Sequence, residues 1–162
     1  MIRNTDVFII GGGPAGLACA IAARQRGLDV VIADGAEPPI DKACGEGMMP
    51  ATLAALRDLG IVIGAPEGVS LRGIRFVNAG DRAHADFPAG LGLGLRRLVL
   101  HEKLIERARE LGTRLFWKTP VTGLCKTGVI ARGQVVRARW IVGADGIGRS
   151  SESSEDARSQ LR

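Results

Sequence analysis

Tyrosine is absent from this chain, and aromatic residues make up only 4% of it. The core must therefore rest on Val, Ile, Leu and Ala. There is no run of eighteen or more apolar residues, so no membrane span is expected. No secretory leader is expected either, because Asp6 interrupts the N-terminal apolar stretch and glycines follow it. The three cysteines, Cys19, Cys44 and Cys125, are odd in number and far apart. They form neither a disulfide framework nor a zinc spacing, so no metal is expected and a reducing cytoplasm fits. Basic blocks and stacking aromatics are lacking despite a formal charge of +5, which argues against a nucleic-acid partner. The surplus positive charge suits a phosphate-bearing cofactor. No internal repeat is present.

Apolar residues make up 46% and charged residues 24% of 162 residues, enough for one domain with a real core. Residues 6–10 (D-V-F-I-I) form a continuous apolar run ending at glycines, as a buried parallel strand would. A helix is predicted over 14–26, with Pro14 at its start and Gly27 past its end. A second strand follows at 29–33, and right-handed crossover makes the two strands parallel neighbours. Residues 34–49 read as irregular, 50–59 as a short helix and 61–69 as loop. Strands of a hairpin are expected at 70–78 and 83–87, and 89–95 is glycine-rich.

An amphipathic helix is predicted over 98–111, with Leu100, Leu104, Ala108 and Leu111 on one face. A third parallel strand is expected at 114–117. A small antiparallel meander is expected at 121–125, 128–132 and 135–138, and a further buried strand at 140–142. Residues 150–162 are polar and serine-rich, so a disordered tail is expected there. The fold class is α/β: a Rossmann-like parallel sheet of about four strands, with crossover helices and an inserted antiparallel meander.

Chemistry enters at Gly11-Gly12-Gly13-Pro14-Ala15-Gly16, a G-x-G-x-x-G that leaves a strand and opens a helix. Gly11 allows the tight turn, Gly13 lets the backbone approach a pyrophosphate, and Gly16 lets helix and strand pack closely. The helix start and its dipole face the phosphates. Asp34, eighteen residues after Gly16, stands where a carboxylate accepts hydrogen bonds from a ribose 2′-hydroxyl. A 2′-phosphate would be repelled, so FAD or NAD is favoured over NADP. The opposing reading is a glycine-rich turn beside a surface aspartate.

Four segments occur in a telling order: G-G-G-P-A-G, D-K-A-C-G-E-G-M-M-P at 41–50, R-R-L-V-L-H-E-K-L at 96–104 and V-G-A-D-G at 142–146. Together they resemble the FAD-dependent monooxygenase superfamily of the p-hydroxybenzoate hydroxylase type. The C-G-E-G segment most resembles the geranylgeranyl reductase branch. The resemblance covers residues 6–149 and implies FAD as cofactor. It implies that Gly11, Gly13, Pro14, Ala15, Gly16 and Asp34 bind the ADP half. It places Lys42, Cys44 and Gly45 near the ribityl and pyrophosphate, Arg97 near FAD from a helix start, and Val121 in backbone contact with the adenine. Asp145 and Gly146 match the family's Asp-Gly motif, which supports the diphosphate and ribityl region.

Bland alternatives stand beside these roles. Cys44 reads equally as a buried small residue, Lys42 as a solvated side chain, Arg97 as a surface helix residue and Asp145 as a turn cap. His84 and His101 have no triad or ligand partners by spacing and read as surface residues of a strand and a helix.

Two departures from the family matter. Asp34 replaces a frequent Glu, at little chemical cost. After Gly146 the family continues with a Ser and a Val-Arg pair toward a substrate domain, whereas this chain reads I-G-R-S-S-E-S-S-E-D-A-R-S-Q-L-R. That ending resembles a truncated or out-of-frame terminus. The expectation is an FAD-binding domain over 1–149, partial, with 61–95 an insertion. The small-molecule substrate would then be held by parts found in complete relatives, and no catalytic residue can be named. The open sheet edge would invite aggregation or pairing with a complementing C-terminal half. Two rivals to an enzyme portion are a non-catalytic fragment that needs the missing half, and an NAD-binding dehydrogenase domain.

Overall fold

The structure is a computed structural model and describes residues 4–64 and 66–146. The chain opens with β1 (Asn4–Ile10), α1 (Pro14–Arg24) and β2 (Val30–Ala33). Then come β3 (Gly47–Met48), α2 (Pro50–Asp58), β4 (Val69–Leu71), β5 (Gly73–Asn78), β6 (Asp81–Asp86) and β7 (Gly92–Gly94). The remainder is α3 (Arg97–Glu110), β8 (Arg114–Phe116), β9 (Val121–Cys125), β10 (Gly128–Ala131) and β11 (Gln134–Gly143). Two compact units result, one from residues 4–40 with 104–146 and one from residues 41–103. The expected tail at 150–162 lies outside the described residues.

The first unit is the α/β sheet, with strand order β8-β2-β1-β11-β10-β9. β8, β2, β1 and β11 run parallel, and β10 and β9 continue antiparallel. The apolar run of β1 buries Val7, Phe8 and Ile9. α1 begins at Gly13, which is still extended (φ −74°, ψ 178°), with Pro14 in its first turn. Its buried stripe is Gly16, Leu17, Ala20 and Ile21. Gly16 faces Ile9, so α1 covers the Val7–Ile9 face of β1. Phe8 points the other way and packs with Val31 and Ala33 against Val129 and Val136 of the meander. Burying a side chain of that size contributes about 1.5–3 kcal/mol.

The two strands expected at 135–138 and 140–142 are one ten-residue strand. Its first half pairs antiparallel with β10, and its second half pairs parallel with β1. Arg132 (φ 49°) and Gly133 (φ 70°) form the two-residue turn before it, both left-handed as such hairpins require. Arg137 and Arg139 of R-A-R-W are both exposed, and the backbone ladder runs through them intact.

At the N-terminal end of the strands, Asp29 pairs with Arg24 (3.7 Å) and with Arg114. The Asp29 amide donates to the Asp6 carboxylate at 2.9 Å, and Arg139 bonds the other Asp6 oxygen at 3.3 Å. Together with the Asp29 amide, Arg139 holds the Asp6 carboxyl below its ordinary range. Arg24 also ties the end of α1 to the end of α3, its Nε donating to Leu111 O at 2.7 Å.

The second unit contains a three-stranded antiparallel sheet, β3-β7-β4, and the separate hairpin β5–β6. The glycine-rich stretch at 89–95 supplies β7, the central strand. The expected hairpin turns at Ala79 (φ 43°) and Gly80 (φ 104°). The strand expected from 70 to 78 is divided at Arg72 into β4 and β5, which enter different sheets. No described helix is long and apolar enough to cross a membrane.

Candidate functional site

In the first unit, the glycine segment sits at the C-terminal end of β1. The Gly11 amide donates to Ala33 O at 2.8 Å, which fastens the turn to the end of β2. Gly11 has φ 108°, and a Cβ there would fall 2.6 Å from the Asp145 nitrogen. Glycine is therefore required twice over, by conformation and by the close approach of the Ala144–Asp145 backbone. The Ala144 amide donates to Ile10 O at 2.7 Å and holds that approach. A Cβ on Gly16 would fall within the radius of Gly11 O, so close helix–strand packing demands this glycine too.

Gly13 differs from both. A Cβ there would meet nothing within 4 Å. The protein leaves the space in front of Gly13 open. The first bond of α1 runs from the Leu17 amide to Gly13 O at 3.0 Å, so the Ala15 and Gly16 amides precede the helical ladder. An open approach over a helix start is the geometry that accepts a diphosphate.

Asp34, half-buried at the end of β2, is held on both carboxylate oxygens. Gly12 donates to Oδ2 at 2.8 Å and Ala36 to Oδ1 at 2.8 Å. A carboxylate offers about four acceptor positions, so two remain for ribose hydroxyls. The fixed carboxylate does not fit the surface-aspartate reading. The residues present thus suit an adenine dinucleotide: an open glycine, a helix start and a pinned carboxylate.

Of the remaining candidates in this unit, Asp145 is half-buried and lies against Gly11, and Gly146 (φ 89°) takes the left-handed turn after it. Val121 opens β9 and pairs with Ala131, and the preceding Pro120 lies 3.7 Å from a Cβ built on Gly35. Gly11, Gly13, Pro14, Ala15, Gly16, Asp34, Asp145 and Gly146 are thus gathered at one end of one sheet, with the start of β9 beside Gly35.

Lys42, Cys44, Gly45 and Arg97 belong to the second unit. Lys42, Cys44 and Gly45 are exposed in the irregular stretch before β3. The exposure of Cys44 removes its reading as a buried small residue. Arg97 is the first residue of α3 and is 8% exposed, so it is not a surface helix residue. His101 is 2% exposed, which corrects the surface reading of that histidine. The buried stripe of α3 runs through Arg97, His101, Leu104, Ile105 and Ala108. It is rotated from the expected face because a polarity pattern assigns Arg and His outward whatever their stems cover. His84, in β6, is exposed as expected.

Two features escaped the sequence reading. Glu46 of the C-G-E-G segment accepts the Arg97 amide at 3.0 Å, and its carbonyl accepts the Leu95 amide at 2.8 Å. It caps α3 across fifty-one residues, a pairing that no local signal carries. Trp117 lies over Gly12, and a Cβ on Gly12 would be 2.6 Å from its Cη2. The second glycine of the motif is therefore required by an indole rather than by a turn. No group of metal-binding residues occurs among the described residues.

The parallel sheet, its crossover helix and its glycine cradle define a dinucleotide-binding domain. The chain belongs to the FAD binding domain family, whose sequence profile matches residues 4–159. FAD, rather than NAD, is the dinucleotide. A menaquinone reductase of Mycobacterium tuberculosis is 30% identical over 154 residues, covering 88% of this chain and 38% of the reductase. A ubiquinone hydroxylase of Rhodospirillum rubrum is 32% identical over 179 residues, covering 99% of this chain and 41% of that protein. Among solved structures, the flavin-dependent brominase Bmp2 superposes with a TM-score of 0.82 at 25% identity, over 94% of this chain and 41% of the brominase. The chain spans about two fifths of the length of the relatives it matches.

Proposed function

We propose that this chain is the FAD-binding portion of a flavin-dependent oxidoreductase of the reductase or monooxygenase type. The observation that carries the reading is the cradle of Gly13, the α1 start and Asp34. FAD, when bound, supplies the redox chemistry, and the protein supplies position and electrostatics.

The Ala15 and Gly16 amides hold the diphosphate at the positive end of α1. Asp34 accepts the ribose hydroxyls, and its two backbone donors keep it aimed. Gly11 lets the Asp145–Gly146 turn close against the phosphate loop. Val121 offers its backbone to the adenine. Within the second unit, Lys42, Cys44, Gly45 and Arg97 are the residues to which the family resemblance assigns cofactor contacts. Glu46 orients the start of α3 from which Arg97 projects.

The share of each relative that is matched supports a substrate-bearing part outside these 162 residues. Two of the relatives are named for isoprenoid quinones, which supports a lipophilic quinone or similar ring as the substrate class. A second reading, reduction of polyprenyl double bonds, is favoured by a digeranylgeranylglycerophospholipid reductase of Methanosarcina mazei, 28% identical over 162 residues.

Gel filtration of the chain after incubation with FAD tests the assignment. A flavin absorption band that co-elutes with the protein is expected. A folded chain that elutes colourless would refute autonomous FAD binding.

A further inference from the structure

Three strand ends meet beside the glycine segment: Gly12 after β1, Asp34 after β2 and Trp117 after β8. A Cβ built on Gly12 would be 2.6 Å from Trp117 Cη2 and 3.4 Å from Asp34 Cβ, so the six-membered ring of the indole roofs Gly12 next to Asp34. The backbone that carries the indole is locked in place. The Asp34 amide donates to Phe116 O (3.0 Å), the Thr119 amide to Asp34 O (2.8 Å) and the Lys118 amide to Ala36 O (3.1 Å). Thr119 Oγ1 and Arg132 both donate to Trp117 O, at 2.9 and 3.4 Å. The Asp34 carboxylate is equally fixed, by Gly12 and Ala36. The indole therefore stands beside the fixed carboxylate.

We propose that Trp117 is a binding residue for the nucleoside half of the cofactor: its indole walls the corner at Gly12 and Asp34 and packs against the adenosine. The proposal rests on the FAD reading and assigns it a residue that the glycine motif does not contain. Aromatic rings hold nucleobases by stacking and by apolar contact, and losing such a ring weakens binding by about 10-fold.

The test uses ADP, which lacks a flavin and so does not absorb where tryptophan emits. The chain has two tryptophans, and Trp140, 64% exposed on β11, is replaced first (Trp140→Phe) so that Trp117 alone emits. Saturable quenching of that emission by ADP is expected, with the midpoint that calorimetry gives for the same titration. Trp117→Ala should weaken ADP binding about 10-fold and Trp117→Phe by about 3-fold or less, with both circular-dichroism spectra unchanged. If ADP binds by calorimetry while Trp117 emission stays constant, the proposal is overturned and the FAD reading stands. If neither ADP nor FAD gives heat with a folded chain, both fall. Should Trp117→Ala fail to fold, the emission titration and Trp117→Phe still decide.

Discussion

Gly13 and Gly16 belong to the same motif, yet the structure assigns them different physical tasks, and alanine separates them. At Gly13 a Cβ would meet nothing within 4 Å, and φ −74° is open to any residue. Alanine is a poorer N-cap than glycine, but it also lowers the entropy of the unfolded chain by about 0.4–1 kcal/mol. The two effects nearly cancel, so Gly13→Ala should leave the melting temperature of the FAD-free chain within about 2 °C of wild type. The added methyl group instead stands where the diphosphate must approach, and FAD binding should weaken at least about 10-fold. At Gly16 the Cβ would fall on Gly11 O, a backbone atom that cannot swing away. Overpacking of that kind costs about 1–3 kcal/mol, or roughly 2–12 °C in a chain of this size. Thermal unfolding followed by circular dichroism, with flavin-fluorescence titration of each variant, makes the comparison. The reasoning is refuted if Gly13→Ala binds FAD as wild type does, or if it destabilises the FAD-free chain more than Gly16→Ala.

Asp34→Ala should remove the ribose acceptor and also leave the Gly12 and Ala36 amides without theirs, lowering stability by about 1–3 kcal/mol even without FAD; urea unfolding of the FAD-free chain checks this. Glu46→Ala should cost about 0.5–2 kcal/mol by uncapping α3, whereas Glu46→Gln, which keeps an acceptor, should cost less; the two melting curves decide. The Asp6 carboxyl is held below its ordinary range, first by the Asp29 amide and then by Arg139. A depressed native value adds stability above the unfolded value of about 3.9 and loses it as pH falls through the native one. Asp6→Asn should therefore flatten the decline of stability below about pH 4, and a slope equal to wild type would show that Asp6 carries none of it.

The β-α-β unit was legible because each of its signals is local. A four-residue apolar run, three glycines, Pro14, Gly27 and an acidic residue after the second strand lie within thirty-four positions. Crossover handedness made the first two strands parallel neighbours, and the hairpin turns at Arg132-Gly133 and Ala79-Gly80 were implied by glycine between strand-forming runs. The order of four motifs pointed to FAD before any coordinate did.

Other features depend on residues distant in sequence, where no pattern reaches. Whether β11 is one strand or two depended on two partners, β10 and β1, that accept different halves of it. The burial of Arg97 and His101 was set by which face of α3 the fold covers, and helical periodicity carries that face only through side-chain polarity. Glu46 found the start of α3 fifty-one residues on. Trp117 stood as the last residue of an expected strand until the sheet brought its ring over Gly12. Sequence determined the local conformations and the cofactor class, because chain stereochemistry and a short motif carry both. Only the tertiary structure decided which side chains meet at Asp34, because that corner is built from three strand ends spread over more than a hundred residues of the chain.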